Sequence, residues 1–292
     1  MILLTGATGT AGSLIANEFA QRREPVRVLV RDRTRAIGLE KVPTVEIVEG
    51  DMSRRSSLGS ALEGVDRVLM ISGPSMDLVE TQSTFIEACK SAGVHHVIKF
   101  SGLDARPETT FPFGLMHKEV EEYLESSGLA WTHLRPTGFM QEYLREAPSI
   151  IHEGALYFAL GDVKLNPIDL VDVAKVGFLL LRDGGHEGAR LPMTGPEALT
   201  MAEVADHISR ANGRTVRYVA VPAVARRQAL IAHGIPPGFA DALDRQVEER
   251  LKGGLESQVD LSTHQFFNIR PTTFLEFAQR NAEAFGRAAA AA

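Results

Sequence analysis

A glycine-rich turn near the start of the chain constrains the fold more than any other feature. The run Thr5-Gly6-Ala7-Thr8-Gly9-Thr10-Ala11-Gly12 carries glycines at regular three-residue intervals. It separates Ile2–Leu4, which has the apolar character of a strand, from Ala11–Arg22, which has the apolar spacing of a helix. Small residues in such a turn let the backbone approach a ligand, and the free N–H groups at the start of the helix bind anions. The turn therefore predicts a site for the phosphates of a dinucleotide.

Short apolar segments alternate with amphipathic ones through the first half of the chain. Strands are predicted at Val26–Val30, Val45–Val48, Val68–Ile71, Val97–Phe100 and Ala130–Leu134, and helices at Leu58–Glu63, Val79–Ala92 and His117–Ser127. This alternation predicts a parallel sheet covered by helices on both faces. Right-handed crossovers and the early glycine turn favour an α/β, doubly wound Rossmann domain.

The second half of the chain is less regular. Short strands are predicted at Tyr157–Leu160, Lys164–Pro167 and Val216–Val219, and helices at Val171–Leu181, Thr200–Ala211, Val224–His233, Gly238–Leu251 and Phe274–Asn281. We therefore expect an NADP-binding Rossmann domain at residues 1–155. Residues 156–292 are expected to form a smaller, mainly helical substrate domain, with some segments returning to the main sheet. The final run Ala288–Ala292 is of low complexity and is expected to fray.

Two helix starts in this half carry capping signals. Asp169 or Asp172 is placed to cap the helix at Val171–Leu181. Thr200 and Glu203 have the spacing of a capping box. These signals predict where the two helices begin.

Composition excludes several classes of function. Lys and Arg number 31 and Asp and Glu 37, and the resulting net charge of −6 argues against a nucleic-acid surface. The start of the chain lacks the basic residues and long apolar core of a signal peptide, and no apolar run reaches membrane-spanning length. We expect a cytoplasmic protein without nucleic-acid or membrane partners.

The cysteine and histidine residues do not indicate redox or metal chemistry. The single cysteine, Cys89, lies on an apolar helical face, which predicts a buried thiol and no internal disulfide. The histidines show no metal-binding spacing, and the adjacent His95 and His96 face opposite sides of a strand. No metal is predicted.

The end of the second strand bears on the choice between NADPH and NADH. The first side chain beyond Val30 is Arg31, which can bind a ribose 2′-phosphate with two hydrogen bonds and stack on adenine. Arg33 adds positive charge. Asp32 is the alternative, because a carboxylate at this position accepts from the ribose 2′-OH of NADH. The pattern favours NADPH, with NADH as a weaker cofactor.

Further cofactor contacts are expected where the other strands end at the same edge of the sheet. The candidates are Asp51 and Met52 for the adenine, Ser72, Gly73 and Pro74 beside the cofactor, and Thr137 for the nicotinamide.

Several segments together resemble the NmrA-like group of atypical short-chain dehydrogenases/reductases. They are Thr5–Gly12, Val28–Arg31, Gly50–Asp51, Glu119–Leu124, Ser127–Pro136 and Leu191–Thr200. Within this group the chain looks most like flavin-free NAD(P)H azoreductases and NADPH quinone reductases. The resemblance covers most of the chain and implies NADPH use without flavin and a substrate cleft between two domains. It does not by itself fix the substrate, for which we expect a small aromatic molecule.

The chain departs from the short-chain reductase pattern at the catalytic position. Those enzymes use a Tyr-x-x-x-Lys pair, in which the tyrosine donates a proton and the lysine binds the ribose. The resemblance aligns Phe113 with the tyrosine and His117 with the lysine. Lys118 follows directly, and Ser101 stands where the family often has Ser or Thr. His117, Ser101 and Lys118 are therefore the catalytic candidates, with His117 either donating a proton or hydrogen-bonding the ribose.

The missing tyrosine restricts the acceptor. A reduced ketone is an alkoxide with a pKa of about 16, which needs a nearby acid. A reduced quinone is a phenolate with a pKa of about 10, which a modest acid or water protonates. Hydroxy-azo dyes behave similarly through their hydrazone tautomer. We therefore expect conjugated acceptors, in a flat slot whose candidate residues are Phe111, Phe113, Phe139, Met140 and Tyr143.

Two other functions stay open at this point. The first is a redox-sensing protein of the NmrA type that binds NADP(H) without turnover. The second is a sugar-nucleotide epimerase, which the missing tyrosine disfavours. A homo-oligomer is compatible with the sequence.

Overall fold

The structure is a computed structural model that describes residues 1–36 and 38–286. The strands are β1 (Ile2–Thr5), β2 (Val26–Val30), β3 (Val45–Glu49), β4 (Arg67–Met70), β5 (His96–Phe100), β6 (Ala130–Pro136), β7 (Ala155–Phe158), β8 (Ala189–Met193) and β9 (Arg217–Ala220). The helices are α1 (Thr10–Arg22), α2 (Gly59–Leu62), α3 (Leu78–Ser91), α4 (Pro112–Ser126), α5 (Ala147–Glu153), α6 (Leu170–Asp183), α7 (Met201–Asn212), α8 (Ala223–Ala232), α9 (Pro237–Leu251), α10 (Ser262–Phe266) and α11 (Phe274–Arg280).

Seven strands form one parallel sheet in the order β3-β2-β1-β4-β5-β6-β8. In register, Leu4 of β1 lies opposite Val28 of β2 on one side and Leu69 of β4 on the other. The strand order reverses direction between β1 and β4. Because ligands of such sheets bind at the carboxyl ends of the strands beside this reversal, the fold itself points to the candidate site. The predicted doubly wound Rossmann architecture is confirmed.

Helices cover both faces of the sheet. On one face α1 packs against α6, with Phe19 and Phe178 in edge-to-face contact at 4.7 Å between ring centres. On the other face α3 packs against α4, and Phe85 and Leu124 are fully buried there. Apolar strand residues buried on both sides explain why the strands of the first half read as continuous apolar runs.

A second, smaller core lies beyond the carboxyl edge of the main sheet. It contains the two-stranded parallel sheet of β7 and β9, together with α7 and α11. Met201 and Ile208 of α7 and Phe274 and Phe277 of α11 are fully buried in it. Thr200 and Glu203 form the predicted capping box of α7, and Asp169 caps α6 by accepting from the Val171 N–H at 3.0 Å.

The structure differs from the sequence-based elements at several places. Strand β8 was not predicted, because Pro192 interrupts its apolar pattern; β8 is an edge strand, where a missing N–H is tolerated. Helix α4 begins at Pro112 rather than at His117. Helices α5 and α10 were not predicted. The predicted strand Lys164–Pro167 contributes only an isolated bridge between Leu165 and Leu199.

Segments α6 and β8 return to the main sheet after the chain has entered the second region. The division at residue 155 stays a prediction, and the run Ala288–Ala292 lies outside the described residues. Cys89 is fully buried, and burial raises the pKa of its thiol. Among residues 1–36 and 38–286, the helices are too short or too polar to cross a bilayer.

Candidate active site

The glycine turn has the close packing that its sequence predicts. Gly6 has φ +67°, and a Cβ on Gly12 would lie 2.2 Å from the Gly6 carbonyl oxygen. Only glycine fits at these two positions. Helix α1 begins beyond Gly9 with no side-chain cap and no acidic residue in its first turn. Its N–H groups therefore face the carboxyl edge of the sheet, and the cradle fits a phosphate group.

A hydroxyl joins the two strands at the reversal point. The Thr5 hydroxyl donates to the Ile71 carbonyl at 2.7 Å and accepts from the Ile71 N–H at 2.7 Å. This reciprocal contact fixes the ends of β1 and β4 relative to each other. The sequence gives no particular signal for it, since both residues lie within ordinary strand patterns.

Of the residues that directly follow β2, some form side-chain hydrogen bonds within the protein and one does not. The Asp32 carboxylate accepts from the Thr34 N–H at 2.9 Å and from its hydroxyl at 2.6 Å. These bonds lower the pKa of Asp32, the side-chain bond most. Arg33 donates to the Ile47 carbonyl at 2.7 Å. Arg31 is exposed and makes no hydrogen bond or ion pair to the described residues. Of these residues, Arg31 is the one whose side chain is available to a 2′-phosphate.

Asp51 and Met52, after β3, are held in place by their own surroundings. The Asp51 carboxylate accepts from the Ser53 N–H at 3.0 Å, which lowers the pKa of Asp51. Met52 belongs to the buried apolar cluster that also contains Leu29 and Leu58. Both residues lie at the carboxyl edge, but Met52 is mainly a core residue.

The residues after β4 lie at the same edge. Ser72 accepts from the Gln82 amide of α3 at 2.8 Å. Gly73 and Pro74 are exposed. After β6, the Thr137 N–H donates to the Met193 carbonyl at 2.9 Å, and its hydroxyl lies 3.5 Å from Glu256. The structure thus brings Gly6–Gly12, Arg31, Ser72 and Thr137 to one edge.

A lysine within β5 forms the most unusual contact at this edge. Lys99 is fully buried, and its Nζ atom lies 2.7 Å from Nδ1 of His117 and 3.4 Å from the Ser101 hydroxyl. Burial lowers the pKa of Lys99 to about 7. Burial and the Lys99 charge lower the pKa of His117 well below its usual value. Two of the three catalytic candidates, His117 and Ser101, therefore meet around a residue that the sequence analysis did not single out.

The other ring nitrogen of His117 is unengaged. Nε2 has no hydrogen-bond partner among the described residues, and the side chain is half-buried. The adjacent Cδ2 atom lies 3.8 Å from where a Cβ on Gly102 would stand, in the loop after β5. His117 therefore presents Nε2 as a donor or acceptor for a ligand.

Three sequence candidates lie elsewhere. Lys118 pairs with Glu122 on the outer surface of α4, away from Lys99 and His117, as its quarter-turn offset requires. Met140 and Tyr143 are buried in the second core, where Tyr143 contacts Phe158 and Phe274 at 5.7 and 5.1 Å between ring centres. Their role in the structure is packing.

Aromatic rings gather at the start of α4. Phe113 is buried, and its ring lies 5.7 Å from that of Phe111 and 5.1 Å from that of Phe239 on α9. Phe139 is half-buried and contacts Phe100 at 6.2 Å. The position of the usual tyrosine is therefore part of an aromatic contact between the main sheet region and α9.

A small cavity lies next to these rings, between the loop 104–111, residues 163–165, α9 and residues 253–257, and the space in it that a water-sized sphere can enter is about 20 Å³. Its walls carry paired charges: Arg250 donates to Glu256 at 2.5 and 2.8 Å, and Arg106 donates to Glu249 at 2.8 Å. The Asp104 carboxyl group has no hydrogen-bonded partner among the described residues; burial, then the Glu256 charge, raises the pKa of Asp104 to about 7. In this conformation the cavity has room for about one water molecule rather than for an organic ligand.

A group of possible metal ligands lies on the far side of α4. Glu121, Glu125 and His133 approach one another there. Arg135 pairs with Glu121, and Arg190 pairs with Glu125, whose carboxylate also lies 3.0 Å from His133 Nε2. The two carboxylates are already compensated by arginines, so the group does not have the charge of a cation site.

Sequence reasoning missed Lys99, although a signal was present: a lysine within an apolar strand is rarely buried without a purpose. It also missed Phe239, Glu249 and Arg250. No local pattern links Phe239 and Glu249 to the site, because their partners Phe113 and Arg106 lie far away in the chain.

The chain is similar to known proteins along nearly its whole length. The model of the NmrA-like family matches residues 1–278. The chain is 37% identical over 289 residues to the NAD(P)H azoreductase of Xenophilus azovorans, covering 99% of this chain and 100% of the relative. It is 34% identical over 287 residues to the (4-alkanoyl-5-oxo-2,5-dihydrofuran-3-yl)methyl phosphate reductase of Streptomyces griseus subsp. griseus, covering 98% and 99%.

Among solved structures, an NADPH-dependent quinone oxidoreductase from Escherichia coli, complexed with NADPH, superimposes with a TM-score of 0.86 at 28% identity. The superposition covers 96% of this chain and 99% of that one. The chain therefore belongs to the NmrA-like family, and the two relatives named above, which it matches along nearly its whole length, are reductases.

Proposed function

We propose that this NAD(P)H-dependent oxidoreductase uses NADPH, without a flavin, to reduce azo or quinone-type conjugated acceptors. One observation carries the proposal: the four tyrosines of the chain all lie away from the Lys99–His117 pair. All four hydroxyls donate to partners elsewhere, namely Tyr123 to Glu87, Tyr157 to Glu153, Tyr218 to the Phe158 carbonyl, and Tyr143 to the Met201 sulfur in the second core.

The preference for NADPH rests on the residues after β2. Asp32 is occupied by Thr34, and Arg31 is free to meet a 2′-phosphate. The pyrophosphate site is the cradle of Gly6, Gly9 and Gly12 at the start of α1. When bound, NADPH supplies a hydride; the residues of the chain bind and orient it and handle the proton.

The acceptor class follows from the donor that is present. The N–H of a neutral imidazole is a weaker acid than the hydroxyl of a tyrosine paired with a lysine. His117 therefore suits anions whose negative charge is already delocalised. Phe111 and Phe113 offer flat apolar surface near the cavity. The two reductases named above act on an azo compound and on an alkanoyl-substituted oxo-dihydrofuran, which supports a conjugated acceptor here.

The test is turnover by the purified protein with NADPH and a panel of acceptors. The panel holds quinones, hydroxy-azo dyes and simple ketones, and no flavin is added. We expect oxidation of NADPH with quinones or azo dyes and none with ketones. The visible absorption spectrum of the protein is recorded first, since a bound flavin would contradict the proposal.

Two further results decide against it. Reduction of ketones at rates similar to those of quinones would remove the argument from the missing tyrosine. Tight NADP(H) binding with no turnover of any acceptor would instead support the redox-sensing alternative.

A further inference from the structure

We infer that Lys99 is a positioning residue that fixes the tautomer of His117 and supplies, through His117, the proton taken up by the reduced acceptor. The inference deepens the proposed function and rests on it. It begins from the 2.7 Å contact between Lys99 Nζ and His117 Nδ1.

The chemistry of an ammonium group makes this contact directional. A protonated lysine has three donors and no acceptor. Nδ1 of His117 must then be the acceptor, so the ring proton of neutral His117 stands on Nε2. Nε2 is the nitrogen without a protein partner. Lys99 therefore turns His117 into a donor toward the ligand.

The groups around Lys99 leave its proton weakly held. Glu121 of α4 is the nearest acid that acts on it, but Arg135 of β6 occupies that carboxylate. His133 of β6 also feels the Lys99 charge, and burial keeps His133 neutral by lowering its pKa to about 2. No carboxylate hydrogen-bonds Lys99 among the described residues. A buried ammonium whose bonds go only to an imidazole and a hydroxyl is poised to lose a proton near neutral pH.

The pair cannot hold two positive charges. Burial and mutual repulsion disfavour a lysine ammonium beside an imidazolium at this distance. Below about pH 7 the pair therefore carries a single positive charge, which resides on Lys99, and the His117 ring is neutral.

The proton step balances as follows. After hydride transfer from NADPH, an oxygen or nitrogen of the acceptor carries a negative charge. The Nε2–H bond of His117 breaks and the proton joins that atom. Nδ1 takes a proton from Lys99 Nζ, so the ring stays neutral and Lys99 becomes a neutral amine. After the product leaves, solvent gives one proton to Nε2 and the Nδ1 proton returns to Lys99 Nζ, which restores the ammonium and the Nε2–H tautomer.

A first experiment examines the protein without cofactor or acceptor. Nitrogen-15 labelled histidine distinguishes Nδ1–H from Nε2–H by chemical shift, and the His117 signal is assigned by its loss in His117→Gln. At about pH 6 we expect His117 to be neutral and protonated on Nε2. A His117 ring protonated on Nδ1, or one that is an imidazolium, overturns the inference whatever the protein reduces.

A second experiment uses Lys99→Met, which keeps the length and apolar stem of the side chain. We expect kcat to fall about 100-fold, the size of a general-acid contribution, with little change in the KM for NADPH. The wild-type kcat should decrease as pH rises through about 7, where Lys99 loses its proton, and this limb should be absent in the variant. The His117 signal of the variant should show a mixture of tautomers.

The matched control is His96→Gln. His96 is a buried titratable residue of the same strand, bonded to Thr132 at 2.9 Å and outside the site. It tests whether any disturbance of β5 has the same effect. We expect it to keep the wild-type pH limb and the Nε2–H tautomer.

The outcomes separate the inference from the proposed function. If Lys99→Met reduces quinones or azo dyes and its kcat falls with pH as in the wild type, the proton-relay inference is wrong but the proposed function stands. If Lys99→Met does not fold, the tautomer in the wild-type protein decides. If wild-type His117 carries its proton on Nε2 but the protein reduces none of the acceptors, both the proton-supply role of Lys99 and the proposed function are wrong.

Discussion

The Asp32 carboxylate accepts both the N–H and the hydroxyl of Thr34, at 2.9 and 2.6 Å. This turn holds the carboxylate nearest the end of β2 within its own loop. Arg31, immediately before it, makes no bond to the described residues. The two neighbours therefore differ in role: Asp32 stabilises the loop, and the Arg31 side chain is available to bind a phosphate.

Arg31→Ala should separate the two nicotinamide cofactors. We expect the KM for NADPH to rise about 10- to 100-fold, the loss of a charge-assisted bond of about 1.4–2.8 kcal/mol. The KM for NADH should change by less than about twofold, because NADH has no 2′-phosphate. Arg210→Ala, at an exposed position on α7, is the matched control. Equal increases for both cofactors would contradict the assignment of Arg31.

Gly12→Ala should damage the phosphate cradle. The added Cβ would stand 2.2 Å from the Gly6 carbonyl oxygen, so helix α1 must move away from the sheet. We expect a loss of about 1–3 kcal/mol in the free energy of unfolding and weaker NADPH binding. Gly59→Ala, where a Cβ meets no atom within 4 Å, should unfold like the wild type. Urea denaturation and cofactor fluorescence measure the two effects.

Glu249→Ala should loosen α9 from the site. The Glu249 carboxylate accepts from Arg106 at 2.8 Å, from Thr109 at 2.9 Å and from the Thr110 N–H at 2.7 Å. Without these bonds the contact between Phe113 and Phe239 loses its support. We expect the acceptor KM to rise about tenfold while the NADPH KM is nearly unchanged. The exposed neighbour Glu248 provides the control Glu248→Ala; a matching effect there would rule out a specific role for Glu249.

Asp104→Asn should alter how stability depends on pH. The folded protein holds the Asp104 proton more tightly than the unfolded chain, since the pKa rises from 3.8 to about 7. The unfolded chain therefore binds fewer protons between these values, and the wild type loses stability as pH rises from about 4 to about 7, by up to about 1.4 kcal/mol per pH unit. Denaturation of Asp104→Asn should show a smaller decline over this window. An identical pH profile in the two proteins would count against the raised pKa.

Much of the Rossmann core could be predicted from local sequence. Apart from β3, an edge strand with Glu46 and Glu49 exposed, strands β1 to β6 appear largely as apolar runs because most of their side chains are buried on both faces of the sheet. Gly6 and Gly12 mark the turn because no other residue fits there. Strand β8 escaped prediction because Pro192 is tolerable only at a sheet edge, and the edge is a property of the assembled sheet.

Some residues of the candidate site could be predicted from the sequence and others could not, because their positions depend on the assembled fold. Arg31 follows its strand directly, so its position comes from the sequence. Met140 and Tyr143 also follow a strand, yet they lie in the second core, because the chain turns inward after β6. Sequence order alone does not tell a cleft wall from a core.

By itself, the sequence determined the parallel sheet, the phosphate turn and the absence of a tyrosine at the catalytic position. Each of these is encoded by residues that are close together in the chain. Only the tertiary structure placed Lys99 against His117 and Glu249 over the loop after β5. Such contacts join a strand to a later helix, or positions 143 residues apart in the case of Arg106 and Glu249, and burial then shifts the proton affinity of groups such as Lys99. Local periodicity carries no record of these distances, because they arise only when the sheet and its covering helices have packed.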